Sequence, residues 1–329
     1  MVQALEEDPS TGVILGMGTT VPSVPFERAE FVRADQTYSI LNRIVKATQV
    51  DTILHTHLIT NSTTVPGRAM HEINVIGTLN LLAAAGAAGS SVRHIVIKSS
   101  TLVYGSAASD PNTFDEDTVR SSPARNSVER SLIEAEGLVR DFAEDNPGTR
   151  VTVLRFANVL GAHLSTPISR NLSKPLCPAL FGFDPLLQFV EETDVVRALL
   201  HVTRGSVPGL YNVAGDGRLP WSEVAAICGK RLLPLSPYTV FKVRPLARVF
   251  DLPDELLDLL RYGRGVDTRR FAATGFSYDS TSAGAVRTFI RALRLRKQSG
   301  RKPLSYTYEH DVEQFFRHSP SVVRASQDS

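Results

Sequence analysis

Four polar residues, Asp35, His57, Ser100 and Asn158, each stand at or just beyond the end of an apolar run that reads as a β-strand. In a doubly wound parallel sheet, ligands bind outside the carboxyl ends of the strands, so these four are the first candidates for a binding site. A serine hydroxyl there orients a substrate oxygen, but it takes a proton only beside an activated partner. A tyrosine four residues before a lysine shares one helical face with it, a spacing at which the lysine lowers the tyrosine pKa. This spacing occurs at Tyr238 and Lys242. His55 and His57 share one strand face at period two, yet no third metal ligand stands nearby in sequence. Two cysteines, Cys177 and Cys228, are too few and too far apart for a disulfide framework or a zinc site.

The elements that must position these residues alternate between strand and helix, the pattern of a parallel sheet with crossover helices. Strands are expected at Val13–Met17, Glu30–Arg33, Thr52–His57, His94–Lys98, Val151–Phe156 and Leu210–Val213. Helices are expected at Val2–Glu7, Tyr38–Thr48, Gly67–Ala88, Val128–Asp145, Thr193–Thr203 and Trp221–Lys230. The rhythm loosens beyond Gly161, where Pro and Leu dominate residues 164–187. This places a Rossmann-like domain over 1–162, a mainly substrate-binding lobe over 163–319 and a disordered polar tail over 320–329.

Composition narrows the function classes. The chain has 329 residues, 42% of them hydrophobic and 21% charged, which is ordinary for a globular protein of one large domain or two smaller ones. Its net charge is only +2, and seven of its 36 basic residues are Lys, so no nucleic-acid-binding surface is expected. No apolar run approaches the ~20 residues of a membrane span. The first residues lack the pattern of a signal peptide, and a cytoplasmic location is expected. Val286 to Lys302 carries seven Arg or Lys and no acid, and it reads as the solvated face of a docked helix rather than a membrane-surface helix.

Several segments in order resemble the extended short-chain dehydrogenase/reductase family, in particular its NAD-dependent epimerase/dehydratase group with the UDP-glucose 4-epimerases. They are EFVRAD ending at Asp35, TILHTH, HEINVIGTLNLL with Asn74 and Gly77, and IKSSTLVYG with Ser99, Ser100 and Tyr104. VTVLRFANVLG follows with Arg155 and Asn158, then QFVEETDVVRAL from Gln188, then GLYNVAGDG with Asn212. The resemblance implies an α/β Rossmann-like fold and an NAD or NADP cofactor touched by Asp35, His57, Asn74 and Ser99. It implies Ser100 as the active-site serine and Asn158 and Gln188 as contacts to a nucleotide-sugar-type small molecule. A homodimer is a possible assembly.

Two family features are missing. Relatives open with a central strand and a glycine-rich turn whose backbone amides and helix N-terminus bind the cofactor pyrophosphate. Here Gly16-Met17-Gly18 runs into Val21-Pro22, not into a helix, and the place of the ribose-binding carboxylate falls near Gly18. The expectation is an N-terminally truncated member lacking the first strand, which would lie between Val13–Met17 and Thr52–His57. The second loss is the acid/base pair. Anchoring the helix VERSLIEAEGLVRDFAEDNP on Glu136 and Asn146-Pro147 puts Val128 at the Tyr position and Leu132 at the Lys position. Neither moves a proton. Tyr238 and Lys242 fall far from the place relatives use, so their spacing reads as coincidence. The expected function is thus that of an epimerase/dehydratase-like oxidoreductase or isomerase with reduced or lost activity and doubtful cofactor binding. The alternatives are a non-catalytic dinucleotide or nucleotide-sugar binding protein, or an inert truncated product.

Overall fold

Alternating apolar runs do form parallel strands, and the sheet they build comes in two pieces. The computed structural model describes residues 1–329 except 23, 163, 243–246, 248, 300–309 and 323–329. After a five-residue helix α1 (Val2–Glu6), strand β1 (Leu15–Gly18) pairs in parallel with β2 (Glu30–Arg33). Helix α2 (Tyr38–Thr48) leads to β3 (Thr52–His55). From there β4 (His94–Ser100), β5 (Arg150–Phe156) and β10 (Gly209–Val213) join β3 in a four-stranded parallel sheet of order β10-β5-β4-β3. Among the described residues β1 does not pair with β3, so the sheet is divided between them.

The pleat sorts the β4 side chains onto two faces. Ile95 and Ile97 pack with Leu81, Leu82, Val128 and Leu132 from the helices on one side. Val96 turns the other way, joining Leu154 and Phe156 of β5 against Val195, Leu199 and Val202 of α7 (Glu192–Gly205). Both faces are dry. That is what a parallel sheet covered by helices on each side requires.

The helix expected at Gly67–Ala88 is helical through Ala85 but not uniform. Helix α3 (Gly67–His71) passes through a π-helical turn at Glu72–Ile76 into α4 (Gly77–Ala85). The wide turn holds Asn74, whose amide is fully buried and bonded to the loop after β3. Gly77 is needed where it stands, because a Cβ there would lie 1.9 Å from Gln36 Oε1.

The remainder wraps a second apolar cluster. Helix α6 (Pro167–Ser173), β7 (Leu176–Leu180), α8 (Trp221–Ile227) and the helices Asp254–Tyr262 and Ser282–Ser299 contribute to it. Trp221 anchors the cluster, its indole N–H donating to the Pro178 carbonyl at 2.9 Å. In the basic helix, Val286, Phe289 and Ile290 are buried in the same cluster, so its apolar side is docked on the protein. The chain then returns to the first sheet. His310–Asp311 pairs with β2, and helix Val312–His318 buries Phe315 against Val32, Ala34 and Ile44. The second lobe as expected over 163–319 therefore gives up its last residues to the first sheet. Residues 320–322 are helical rather than disordered, with Ser321 buried and its hydroxyl bonded to Glu30. The rest of the expected tail, 323–329, lies outside the described residues.

Candidate active site

The carboxyl ends of β3, β4 and β5 open into a cavity of about 460 Å³. Its floor is residues 98–102 at the end of β4, and one wall is residues 156–159 at the end of β5. α6, α7 and the helix Asp254–Tyr262 close the other sides, supplying Ile168, Val195, Leu199, Leu256 and Leu259. A mostly apolar pocket of this size with a few convergent polar groups is the usual form of a small-molecule site.

Ser100 reaches this cavity. Its hydroxyl oxygen accepts from the Leu102 amide at 3.2 Å and so caps the short 3₁₀ turn Thr101–Tyr104, which fixes the side chain at the strand end. Asn158 also lines the cavity, with its amide donating to the Gln188 carbonyl at 2.8 Å. Ser99, next along the pleat, donates to Glu136 Oε1 on α5 (Ser127–Asp145).

Behind Ser99 runs a buried polar network. Arg155 holds Glu136 through both Nε and Nη2, and its Nη1 donates to the Tyr104 hydroxyl at 2.7 Å. Tyr104 in turn donates to Asn212 Oδ1 at 2.9 Å and stacks on Phe114 with centroids 4.8 Å apart. Burial pushes the Tyr104 phenol above its ordinary pKa, and the Arg155 charge offsets only part of that. A phenol held in its neutral form donates a hydrogen bond; it is not a poised base.

The other sequence-derived candidates lie elsewhere. Asp35 is exposed and accepts from the Thr37 amide at 3.1 Å, turning the chain into α2. His57 is exposed beyond the end of β3. Asn74 accepts from the Ile59 amide at 2.7 Å and donates to the Ile59 carbonyl at 2.8 Å and to Ser131 at 3.0 Å, so it fastens the loop after β3. Gln188 accepts from the Val266 amide at 2.7 Å and acts as a strut between segments. Val128 and Leu132 are fully buried in the apolar cluster and do not line the cavity. His55 is buried against Thr78 at 3.0 Å, and burial, with His57 nearby, pushes its imidazole down to about 4. Among the described residues no group of three His, Cys, Asp or Glu could hold a metal ion. No described helix is long and apolar enough to cross a membrane.

Charged residues that sequence reasoning missed also border the cavity. Lys98, Glu192, Glu255 and Arg264 all line it. Burial lowers the Lys98 pKa and pushes Arg264 down to about 10. Glu255 accepts from the amide and hydroxyl of Ser62, and burial nevertheless raises its pKa. One signal for Lys98 was present in the sequence: it is the only formal charge in the run Ile95-Val96-Ile97-Lys98-Ser99-Ser100.

This arrangement has known counterparts. The sequence profile of the NAD-dependent epimerase/dehydratase family matches residues 1–214. The uncharacterised protein Rv0501 of Mycobacterium tuberculosis is 33% identical over 274 residues, covering 81% of this chain and 73% of that protein. The UDP-glucuronic acid decarboxylase 6 of Arabidopsis thaliana is 26% identical over 172 residues, half of this chain and 49% of its own length. The fold of MoeE5, solved with UDP-glucuronic acid and NAD, superposes with a TM-score of 0.70 at 21% identity, over 89% of this chain and 94% of that one. The UDP-glucose 4-epimerase of Thermotoga maritima gives 0.68 at 15% identity, over 90% and 94%. A parallel sheet with a ligand-sized cavity at its carboxyl edge, in a chain whose first 214 residues carry the family's sequence pattern, belongs to the NAD-dependent epimerase/dehydratase family.

Proposed function

We propose that this protein is a nucleotide-sugar-binding member of the family whose own proton-transfer chemistry is strongly reduced. The observation that carries the reading is the place of Val128 and Leu132. At the positions that the family resemblance assigns to the Tyr/Lys pair stand two apolar side chains, both with 0% exposure and both off the cavity. Ser100 and Asn158 remain at the cavity to orient a sugar hydroxyl, but among the described residues no activated partner stands beside Ser100. Tyr104 does not replace the pair, because it is buried and already engaged with Arg155 and Asn212.

The solved relatives contain NAD, and the residues present here fit that cofactor poorly. A pyrophosphate needs backbone amides of a glycine-rich turn opening a helix. Gly16 and Gly18 lie in β1 rather than at such a turn. A Cβ at Gly18 would make only ordinary contact with Phe31, at 3.8 Å, so no close backbone approach requires that glycine. The described residues are therefore proposed to hold the cofactor pyrophosphate weakly.

Calorimetry with UDP-glucose, NAD and NADP, together with a chromatographic assay for sugar conversion, tests the reading. Expected are nucleotide-sugar binding, weak cofactor binding, and turnover at least about a hundredfold below a relative that carries the Tyr/Lys pair. Turnover at that relative's rate would overturn it.

A further inference from the structure

Among the described residues, Lys98 is a cavity-lining charge without a protein partner. It sits in β4, flanked by β3 and β5, with Leu154 as its register partner on β5. Its own strand offers it only Val96 and Ser100 on the same face. Among the described residues no hydrogen bond or ion pair reaches its ammonium group. The two carboxylates that border the cavity are occupied elsewhere. Glu255 is held by Ser62, and Glu192 acts on the N-terminal amine of Met1. Arg264 borders the same cavity, and its bond is to the Gly105 carbonyl at 2.9 Å rather than to an acid. Lys98, with no carboxylate partner among the described residues, and Arg264, which is bonded to a carbonyl and lies in the field of Glu129, thus face one cavity of ligand size.

Such an arrangement costs stability in the empty protein, because a charge taken out of water is compensated only by a partner. An acidic group entering the cavity would supply that compensation. We propose that this site takes an acidic ligand group, a carboxylate or a phosphate, which pairs with Lys98 and lies within the field of Arg264. The proposal deepens the nucleotide-sugar reading above and rests on it for the rest of the ligand. A charge-assisted hydrogen bond in a cavity is about twice as strong as a neutral one, so the pairing also selects acidic over neutral ligands.

The test compares UDP, UDP-glucose and UDP-glucuronic acid by calorimetry on the full chain, as wild type, Lys98→Met and Lys98→Arg. Met keeps the length of the side chain and removes the unpaired charge, so K98M should melt at a higher temperature than wild type without ligand. If the anion is a sugar carboxylate, wild type prefers UDP-glucuronic acid to UDP-glucose by about tenfold or more, and K98M loses that preference while K98R keeps part of it. If the anion is the diphosphate, K98M weakens all three ligands alike by about tenfold or more. Either result supports the proposal. Unchanged affinities in a folded K98M that still binds the ligands would overturn it. Should wild type bind none of the three, the nucleotide-sugar reading fails alone, and free glucuronate and inorganic phosphate become the probes. Binding of either that K98M abolishes keeps the acidic site, and no Lys98-dependent binding of either refutes it.

Discussion

Arg155 and Glu136 meet side-on in the interior, with Nη2 2.5 Å and Nε 3.0 Å from the same carboxylate oxygen, Oε2. Their side chains are only 13% and 11% exposed. Burial works against the Arg155 charge, and Glu136 more than restores it, holding the guanidinium above its ordinary pKa. The pair joins β5 to α5, and Ser99 and Tyr104 hang on it from opposite sides. It fixes the end of β4 where the cavity begins.

Removing one member of such a pair leaves the other charged and uncompensated. Glu136→Gln keeps the shape and is expected to destabilise the fold by about 3–5 kcal/mol, read from urea unfolding. Glu136→Gln combined with Arg155→Met should cost much less than the sum of the two single changes. Additive losses would mean that the two residues act independently.

His55 gives the protein an acid-side weakness. Its folded pKa is pushed down to about 4, against an ordinary value of 6.5. The unfolded chain therefore binds a proton between these values that the folded chain refuses, and stability rises with pH across that window. As pH falls from 6.5 to 4, His55 alone should withdraw roughly 3 kcal/mol. His55→Gln retains a polar partner for Thr78 and should flatten this part of the profile, measured as unfolding free energy against pH. An unchanged slope would assign the acid sensitivity to other groups.

Much of the frame was legible from period and punctuation. β2 and α2 fall where the alternation and the apolar face at Ile40, Leu41, Ile44 and Val45 place them. The split agrees with the expectation of a sheet without a strand between β1 and β3, since among the described residues these two do not pair. The π-helical turn around Asn74 was not, since the apolar pattern of Gly67–Ala88 fits a regular helix and only the bonds to Ile59 distinguish it. The return of Val312–His318 to β2 depends on a contact across the whole chain, which no local pattern encodes. In the site, Ser100 and Asn158 could be placed by strand ends. Lys98 also ends an expected strand, but its lack of a partner was not legible, because that depends on which carboxylates the fold brings to it. Asp35 and Gln188 carry the right residue types but spend them on a turn and a strut.

The division of the sheet has a dynamic consequence. β3 is hydrogen-bonded to β4 on one side and, among the described residues, to no strand on the other. β4 is bonded on both sides. Alternate amides within Thr52–His55 should therefore exchange with solvent deuterium faster than any amide of Ile95–Lys98. Equal protection of the two strands, measured residue by residue by NMR, would show that something covers the β3 edge.

A lost acid/base pair and a merely replaced one respond differently to restoration. If Val128 and Leu132 stand where relatives keep tyrosine and lysine, restoring those residues is the obvious repair. The packing argues against its success in this chain. Both positions are fully buried among Met70, Ile95, Ile97 and Val103, so Val128→Tyr overfills a dry cluster at a cost of about 1–3 kcal/mol. Leu132→Lys places a charge there without a partner, and several kcal/mol more should be lost unless the lysine is neutral. The double variant should therefore unfold at markedly lower urea, and it should not gain the 10²–10⁴-fold that a positioned acid/base contributes. Unfolding curves check the first half and a nucleotide-sugar conversion assay the second. A stable double variant whose turnover rises about tenfold or more would show that these side chains reach the ligand after all, and the apolar pair would then be a simple loss that two substitutions reverse.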